Sequence, residues 1–80
     1  MALFRDISGI ELAKALQKLG YSITRQTGSH LRVTTHLNGT HHETLPAHKP
    51  LKVGTLNAIL RNIAAHHNMS RSELLALLDL

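Results

Sequence analysis

The chain has no cysteine and no tryptophan, and one phenylalanine and one tyrosine, Phe4 and Tyr21, complete its Phe, Trp and Tyr content. Without thiols, neither a disulfide nor a thiolate zinc site can brace it. So few aromatic rings exclude a binding surface built from base-stacking platforms, as in a four-stranded RNA-recognition sheet. No apolar run approaches the roughly 18 residues that a membrane-spanning helix requires. The start, Met1-Ala2-Leu3-Phe4-Arg5-Asp6, lacks the charged region and long apolar stretch of a signal peptide, so a cytoplasmic protein is expected. Acidic residues are scarce. Five Asp and Glu stand against nine Lys and Arg, for a formal charge of +4 and a pI near 10.2. Seven histidines add positive charge below neutral pH. A balance this basic is the electrostatic footprint of a nucleic-acid partner.

Eighty residues make one domain, 1–80, with a thin core that removes only about 60–65% of the unfolded chain's surface from water. Stability then depends on packing Leu, Ile and Val between a few elements. Ser8-Gly9-Ile10-Glu11 is a capping box, in which the Ser8 hydroxyl and the Glu11 carboxylate each accept from the other's backbone N–H. A helix follows to about Leu19, with Ile10, Leu12, Ala13, Leu16 and Leu19 as its apolar stripe, and Gly20 closes it. Tyr21 to Thr27 alternates as a strand, with Tyr21 and Ile23 expected to face the helix. Gly28-Ser29 is the Gly-X pair of a type II′ hairpin turn. The next strand is expected over His30 to Leu37, with Leu31, Val33 and Leu37 inward and His30, Arg32, Thr34 and His36 on the open face. Asn38-Gly39 signals a type I′ turn, and Thr40 to Leu45 a third strand ended by Pro46.

Ala47 to Lys52 reads as a basic loop. A second helix is expected from about Val53 to His66, burying Val53, Leu56, Ile59, Leu60 and Ile63. Ser70-Arg71-Ser72-Glu73 is another capping box, opening a short leucine-rich helix. The order is α-β-β-β-α plus a terminal helix, with the helices on one face of an antiparallel sheet and the other face wet.

His30 is the leading chemical residue. It opens a strand directly after a rigid turn, with Arg25 and Arg32 on either side. RNA carries its own nucleophile, the 2′-hydroxyl, so its cleavage requires proton transfer and cations for the phosphorane rather than a metal. An imidazole titrates near neutrality and moves protons, and guanidinium groups stabilise the developing charge. His48, in the basic loop, is a candidate second proton-transfer group or a phosphate contact. Lys14, Lys18, Lys49, Lys52 and Arg61 are candidates for a phosphate-binding surface. His41-His42 looks like a metal pair, but adjacent strand residues point to opposite faces and do not share one ion. His66-His67 complements the dipole at a helix C-terminus. No metal site and no cofactor are expected. A non-catalytic RNA-binding module and a purely protein-binding basic domain are the rival readings.

Several pieces together resemble one family. They are Gly9 and Leu16, Leu19-Gly20-Tyr21, Arg25-Gln26-Thr27-Gly28-Ser29-His30, Leu45-Pro46-Ala47-His48, and Leu51-Lys52-Val53-Gly54-Thr55-Leu56 with Ile59-Leu60. In this order they resemble the HicA toxins, small mRNA interferases of toxin–antitoxin modules. The resemblance implies an α+β fold like the double-stranded RNA-binding domain. It implies ribonuclease activity on mRNA, with the histidine of the Gly-Ser-His motif essential; here that motif is Gly28, Ser29 and His30. It also implies a HicB-like antitoxin that masks His30. The free chain is expected to be a monomer with no membrane partner. Thr27 stands where family members usually carry a basic residue, Leu31 where they often carry a second histidine or an aromatic, and Ser70 to Leu80 extends past the usual second helix.

Overall fold

In the computed structural model, which describes residues 6–80, both capping boxes form as hydrogen-bonded pairs. Glu11 N donates to Ser8 Oγ at 3.0 Å and Ser8 N to Glu11 Oε1 at 3.0 Å. Helix α1 (Gly9–Leu16) starts there and tightens into a 3₁₀ turn, Gln17–Leu19, that ends at Gly20 with φ of 80°. Glycine takes that left-handed conformation without the steric cost a β-carbon imposes. The expectation drawn from Met1 to Arg5 lies outside the described residues.

Three strands follow, β1 (Ser22–Thr27), β2 (His30–Thr35) and β3 (His41–Pro46), in one antiparallel sheet of order β1-β2-β3. Gly28 takes φ of 56° and Ser29 does not, as a type II′ turn demands, whereas Asn38 and Gly39 are both at positive φ, as in type I′. Helix α2 (Val53–His66) and helix α3 (Arg71–Leu78) complete the chain. The α-β-β-β-α order, with α3 added, is the fold of the double-stranded RNA-binding domain.

The molecule measures 31 × 30 × 17 Å, so it is two layers thick. Leu31, Val33 and Leu45 from the sheet, Leu12 and Leu16 from α1, and Leu60 and Ile63 from α2 meet in one fully buried core. Leu74, Leu75 and Leu78 of α3 join it. Thr35 is buried among them because its hydroxyl donates to the Leu19 carbonyl at 2.7 Å.

Four apolar residues expected in the core are exposed: Ile10, Ile23, Leu37 and Val53. Ile23 lies on β1, an edge strand all of whose residues are exposed. Strand β2 stops at Thr35, which leaves Leu37 in the turn beyond it and His36 between strand and turn, its Nδ1 3.1 Å from Thr40 Oγ1. Val53 opens α2 ahead of its buried residues, which begin at Leu56, and Ile10 sits in the first turn of α1 between the buried Gly9 and Leu12.

Candidate active site

A β-bulge decides what the open face carries. Ile23 pairs with Val33, yet Arg25 pairs with Arg32, so Thr24 is an extra residue on β1. Strict alternation from Tyr21 would turn Arg25 toward the helices. The bulge instead sets it opposite Arg32, on the face away from them. Thr24 uses its hydroxyl there, 2.8 Å from Thr34 Oγ1, which in turn lies 2.7 Å from His42 Nδ1. That polar ladder crosses all three strands and shields Thr34, which is on the open face as expected but buried by its neighbours.

Beyond the ladder, Arg25, Thr27, His30, Arg32 and Thr44 line a shallow groove of about 230 Å³. Around the end of the sheet lies a second cleft, of about 280 Å³, lined by His30, Pro46, His48, Pro50, Leu51, Lys52 and Thr55. His30 is the residue common to both. It is exposed, as are Arg25, Arg32, His48 and Lys52. Gly28 and Ser29 form the turn that delivers it, and the Ser29 carbonyl accepts from Ala47 N–H at 2.6 Å, which ties the hairpin to the loop after β3.

That loop is fixed from a second side as well. Gly9 N–H donates to the His48 carbonyl at 3.2 Å and Leu51 N–H to the Ile7 carbonyl at 2.8 Å. A β-carbon at Gly9 would overlap the Pro46 carbonyl, so the start of α1 sits directly on the loop. Helix α2 begins at the floor of the cleft, where Lys52 is the N-cap and makes no side-chain capping bond. The first N–H groups of the helix and the Lys52 ammonium therefore both favour an anion at that end.

The remaining basic candidates do not gather into one surface. Lys49 Nζ is 3.9 Å from Glu11 Oε1, an exposed pairing with α1, and it does not line the cleft. Lys14 and Lys18 are exposed on the first helical segment. Arg61 lines a different hollow, of about 540 Å³, between α2 and α3 with Asn57, Leu60, Ala64, Ala65, Met69 and Arg71. That hollow is larger than the two that His30 lines, but none of the residues expected to act on RNA except Arg61 reaches it.

At the other end of β2 and β3 lies a cluster that the sequence did not signal. The Tyr21 hydroxyl is 2.7 Å from His41 Nδ1 and 3.1 Å from His67 Nε2. Having one proton, it donates to one ring and accepts from the other. His66 stacks on His41 with centroids 4.5 Å apart, and its Nε2 lies 3.0 Å from the Leu37 carbonyl and 3.1 Å from that of Gly39. Two carbonyl acceptors require a proton on that nitrogen. Burial first, then the neighbouring imidazoles, pushes His41 and His67 below the ordinary histidine value, and burial with the Glu43 charge pushes Tyr21 up to about 12. Glu43 faces His41 at 3.6 Å, yet burial raises its carboxyl while lowering the imidazole, so the two form a polar contact and not a firm ion pair at neutral pH. Among the described residues, no group of three or more His, Asp or Glu is arranged to hold a metal ion. His41 and His42 diverge, the first toward Tyr21 and the second toward Thr34.

The fold and this site define a small α-β-β-β-α domain with an exposed histidine between two hollows that basic residues help to line. The family model described as HicA toxin of bacterial toxin–antitoxin systems matches residues 9–64, and the chain belongs to that family. The match runs from the start of α1 nearly to the end of α2 and includes Arg25, Gly28, Ser29, His30, Arg32, His48 and Lys52. No curated protein and no solved structure matches the chain. Membership makes it the toxin component of a toxin–antitoxin pair and implies a cognate antitoxin. No helix among the described residues is long and apolar enough to cross a membrane.

Proposed function

We propose that this protein is an endoribonuclease that cleaves mRNA without a metal ion, with His30 as the proton-transfer residue. The observation that carries the reading is the position of His30 on the wall shared by the two hollows. A strand of RNA laid over Arg25 and Arg32 passes the imidazole on its way to the cleft holding His48 and Lys52. The guanidinium groups hold phosphates along the open face, and the rigid Gly28-Ser29 turn keeps the imidazole in place without reorganisation. An active site for a long polymer has to be open, and a body 17 Å thick has little interior in which to hide one. The domain spans residues 1–80 and acts as a cytoplasmic monomer when free. Its antitoxin, of the HicB-like kind, covers the open face and masks His30.

Induced expression of wild type and His30→Ala side by side, with growth and mRNA integrity followed, tests the assignment. Wild type should arrest growth and fragment mRNA, and the variant should do neither while melting at the wild-type temperature. A variant that still cleaves at the wild-type rate would sink the role of His30. A non-catalytic RNA-binding module is the second reading, favoured by the double-stranded-RNA-binding-domain order of the elements. It predicts RNA retention by both proteins and cleavage by neither.

A further inference from the structure

We propose that His48 is the general acid of the same cleavage, protonating the departing 5′-oxygen while His30 removes the proton from the attacking 2′-hydroxyl. This rests on the ribonuclease reading above and goes further by giving the cleft a second catalytic residue and a defined product. The two imidazoles line one cleft of about 280 Å³, His30 from the start of β2 and His48 from the loop after β3. In-line displacement at phosphorus places the attacking and leaving oxygens on opposite sides. One fixed imidazole reaches both only by moving, whereas two imidazoles lining a common cleft can serve one oxygen each.

The backbone of the loop supports this role. Residue 48 is held through its carbonyl by Gly9 N–H, the preceding residue by the Ser29 carbonyl, and Leu51 by Ile7. The hydrogen bond from Ala47 to Ser29 links the two histidine-bearing segments directly, one residue away from each ring. Exposed side chains on loops are usually mobile at the backbone too. Here the side chain of His48 is exposed on backbone that is pinned from two elements.

Elimination among the cleft's own residues points the same way. Besides the two histidines the lining contains Pro46, Pro50, Leu51, Lys52 and Thr55. A threonine hydroxyl is a poor proton donor near neutral pH, and an ammonium is better suited to hold charge than to pass a proton. Lys52 suits the non-bridging phosphate oxygens, to which it offers a point charge. Lys49, also on this loop, faces Glu11 at 3.9 Å on the α1 side.

The step balances without a co-reactant. The bond from O2′ to phosphorus forms as the bond from phosphorus to O5′ breaks. The 2′-hydroxyl proton passes to His30 and a proton from His48 passes to O5′. The products are a 2′,3′-cyclic phosphate and a 5′-hydroxyl, and exchange with solvent restores both rings.

A sulfur in place of the bridging 5′-oxygen leaves as a thiolate and needs no acid. The test is therefore single-turnover cleavage of a short RNA oligonucleotide, its sequence taken from a site that wild type cuts in mRNA, with either an ordinary linkage or a 5′-bridging phosphorothiolate at the scissile position. His48→Ala and His48→Gln should each slow the ordinary linkage by about 10² to 10⁴-fold and regain nearly the wild-type rate on the sulfur linkage. His30→Ala should stay slow on both. Wild type should lose one limb of a bell-shaped pH–rate profile when His48 is replaced. An ordinary-linkage rate unchanged in His48→Ala, equal slowing on both linkages, or recovery of the ordinary rate by His48→Gln overturns the assignment while leaving the ribonuclease reading intact. Wild type that cuts neither mRNA nor either oligonucleotide overturns both.

Discussion

Gly9 lies so close to Pro46 that a β-carbon would overlap the proline carbonyl, and the glycine's own N–H holds the next turn of the loop at the His48 carbonyl. The start of the first helix and the end of the third strand are thus one contact. Gly9→Ala must push them apart, since the obstacle is backbone and cannot swing away. Overpacking of this kind costs about 1–3 kcal/mol. Thermal unfolding should show a lowered midpoint, and RNA cleavage measured well below that midpoint should fall by more than the unfolded fraction, because the displaced loop carries His48. Full activity in the folded fraction would mean that the loop's position is immaterial.

Acidification should weaken the fold before it reaches the carboxylate range. His41 and His67 are depressed when folded, chiefly by burial, while in the unfolded chain they titrate at the ordinary value of about 6.5. The unfolded state therefore binds more protons below that pH. The stability these rings contribute is complete above about pH 6.5 and is lost as pH falls from there toward their folded values, with a slope of at most about 1.4 kcal/mol per pH unit for each. Glu43 acts in the opposite sense at lower pH, because burial raises its carboxyl above the ordinary value when folded. Urea unfolding at pH 7.5, 6 and 5 measures the trend. Tyr21→Phe, which leaves both ring nitrogens without their hydroxyl partner, should cost about 1–3 kcal/mol at neutral pH.

Affinity for single-stranded RNA should fall steeply with salt. Each phosphate neutralised adds about −0.7 to the slope of log K against log salt. Arg25→Ala and Arg32→Ala should each make that slope shallower by about this amount, with Arg61→Ala leaving it unchanged because Arg61 lies between α2 and α3. Fluorescence anisotropy of the His30→Ala background, which avoids turnover, supplies the titrations. A slope indifferent to Arg25 and Arg32 would remove the open face from the RNA path.

Cleavage should persist in EDTA. Among the described residues, no group of three or more His, Asp or Glu is arranged to hold a metal ion, and the proton transfers assigned to His30 need none. Loss of cleavage on chelation, with recovery on adding a divalent ion, would contradict the metal-free reading.

The antitoxin should protect the Gly28–Arg32 hairpin from hydrogen exchange. Direct masking of His30 needs a cover over the open face, and a specific interface of ordinary size buries about 1,200–2,000 Å² in total. Protection confined to α3 would indicate inhibition from a distance.

What the sequence revealed was mostly local. The capping boxes at Ser8 and Ser70 and the two hairpin turns depend on residues within four positions of each other, and each forms as read. The bulge at Thr24 was illegible because alternation carries no mark of an inserted residue, although Tyr21 inward and Arg25 outward are incompatible without one. The exposed Ile23 and Leu37 show that an apolar residue at the right period still needs a neighbour to cover it. The Tyr21, His41 and His67 contacts span 20 and 46 positions, so no periodicity could announce them. Lys49 turned toward Glu11 for a similar reason: composition gives the charge of a loop and not the direction of each side chain.

The pattern that defines the family ends at residue 64, but the interior of the molecule does not. Leu74, Leu75 and Leu78 lie at 0%, 2% and 2% exposure, and Ile7, ahead of the matched stretch, at 1%. Excising residues 9–64 would strip both ends of the core and uncover apolar faces of α1 and α2. Full burial of one such side chain contributes about 1.5–3 kcal/mol, and small domains have about 5–15 kcal/mol in all. The smallest autonomous folding unit is thus longer than the shared signature, and a fusion or tag has to leave everything from Ile7 through α3 in place.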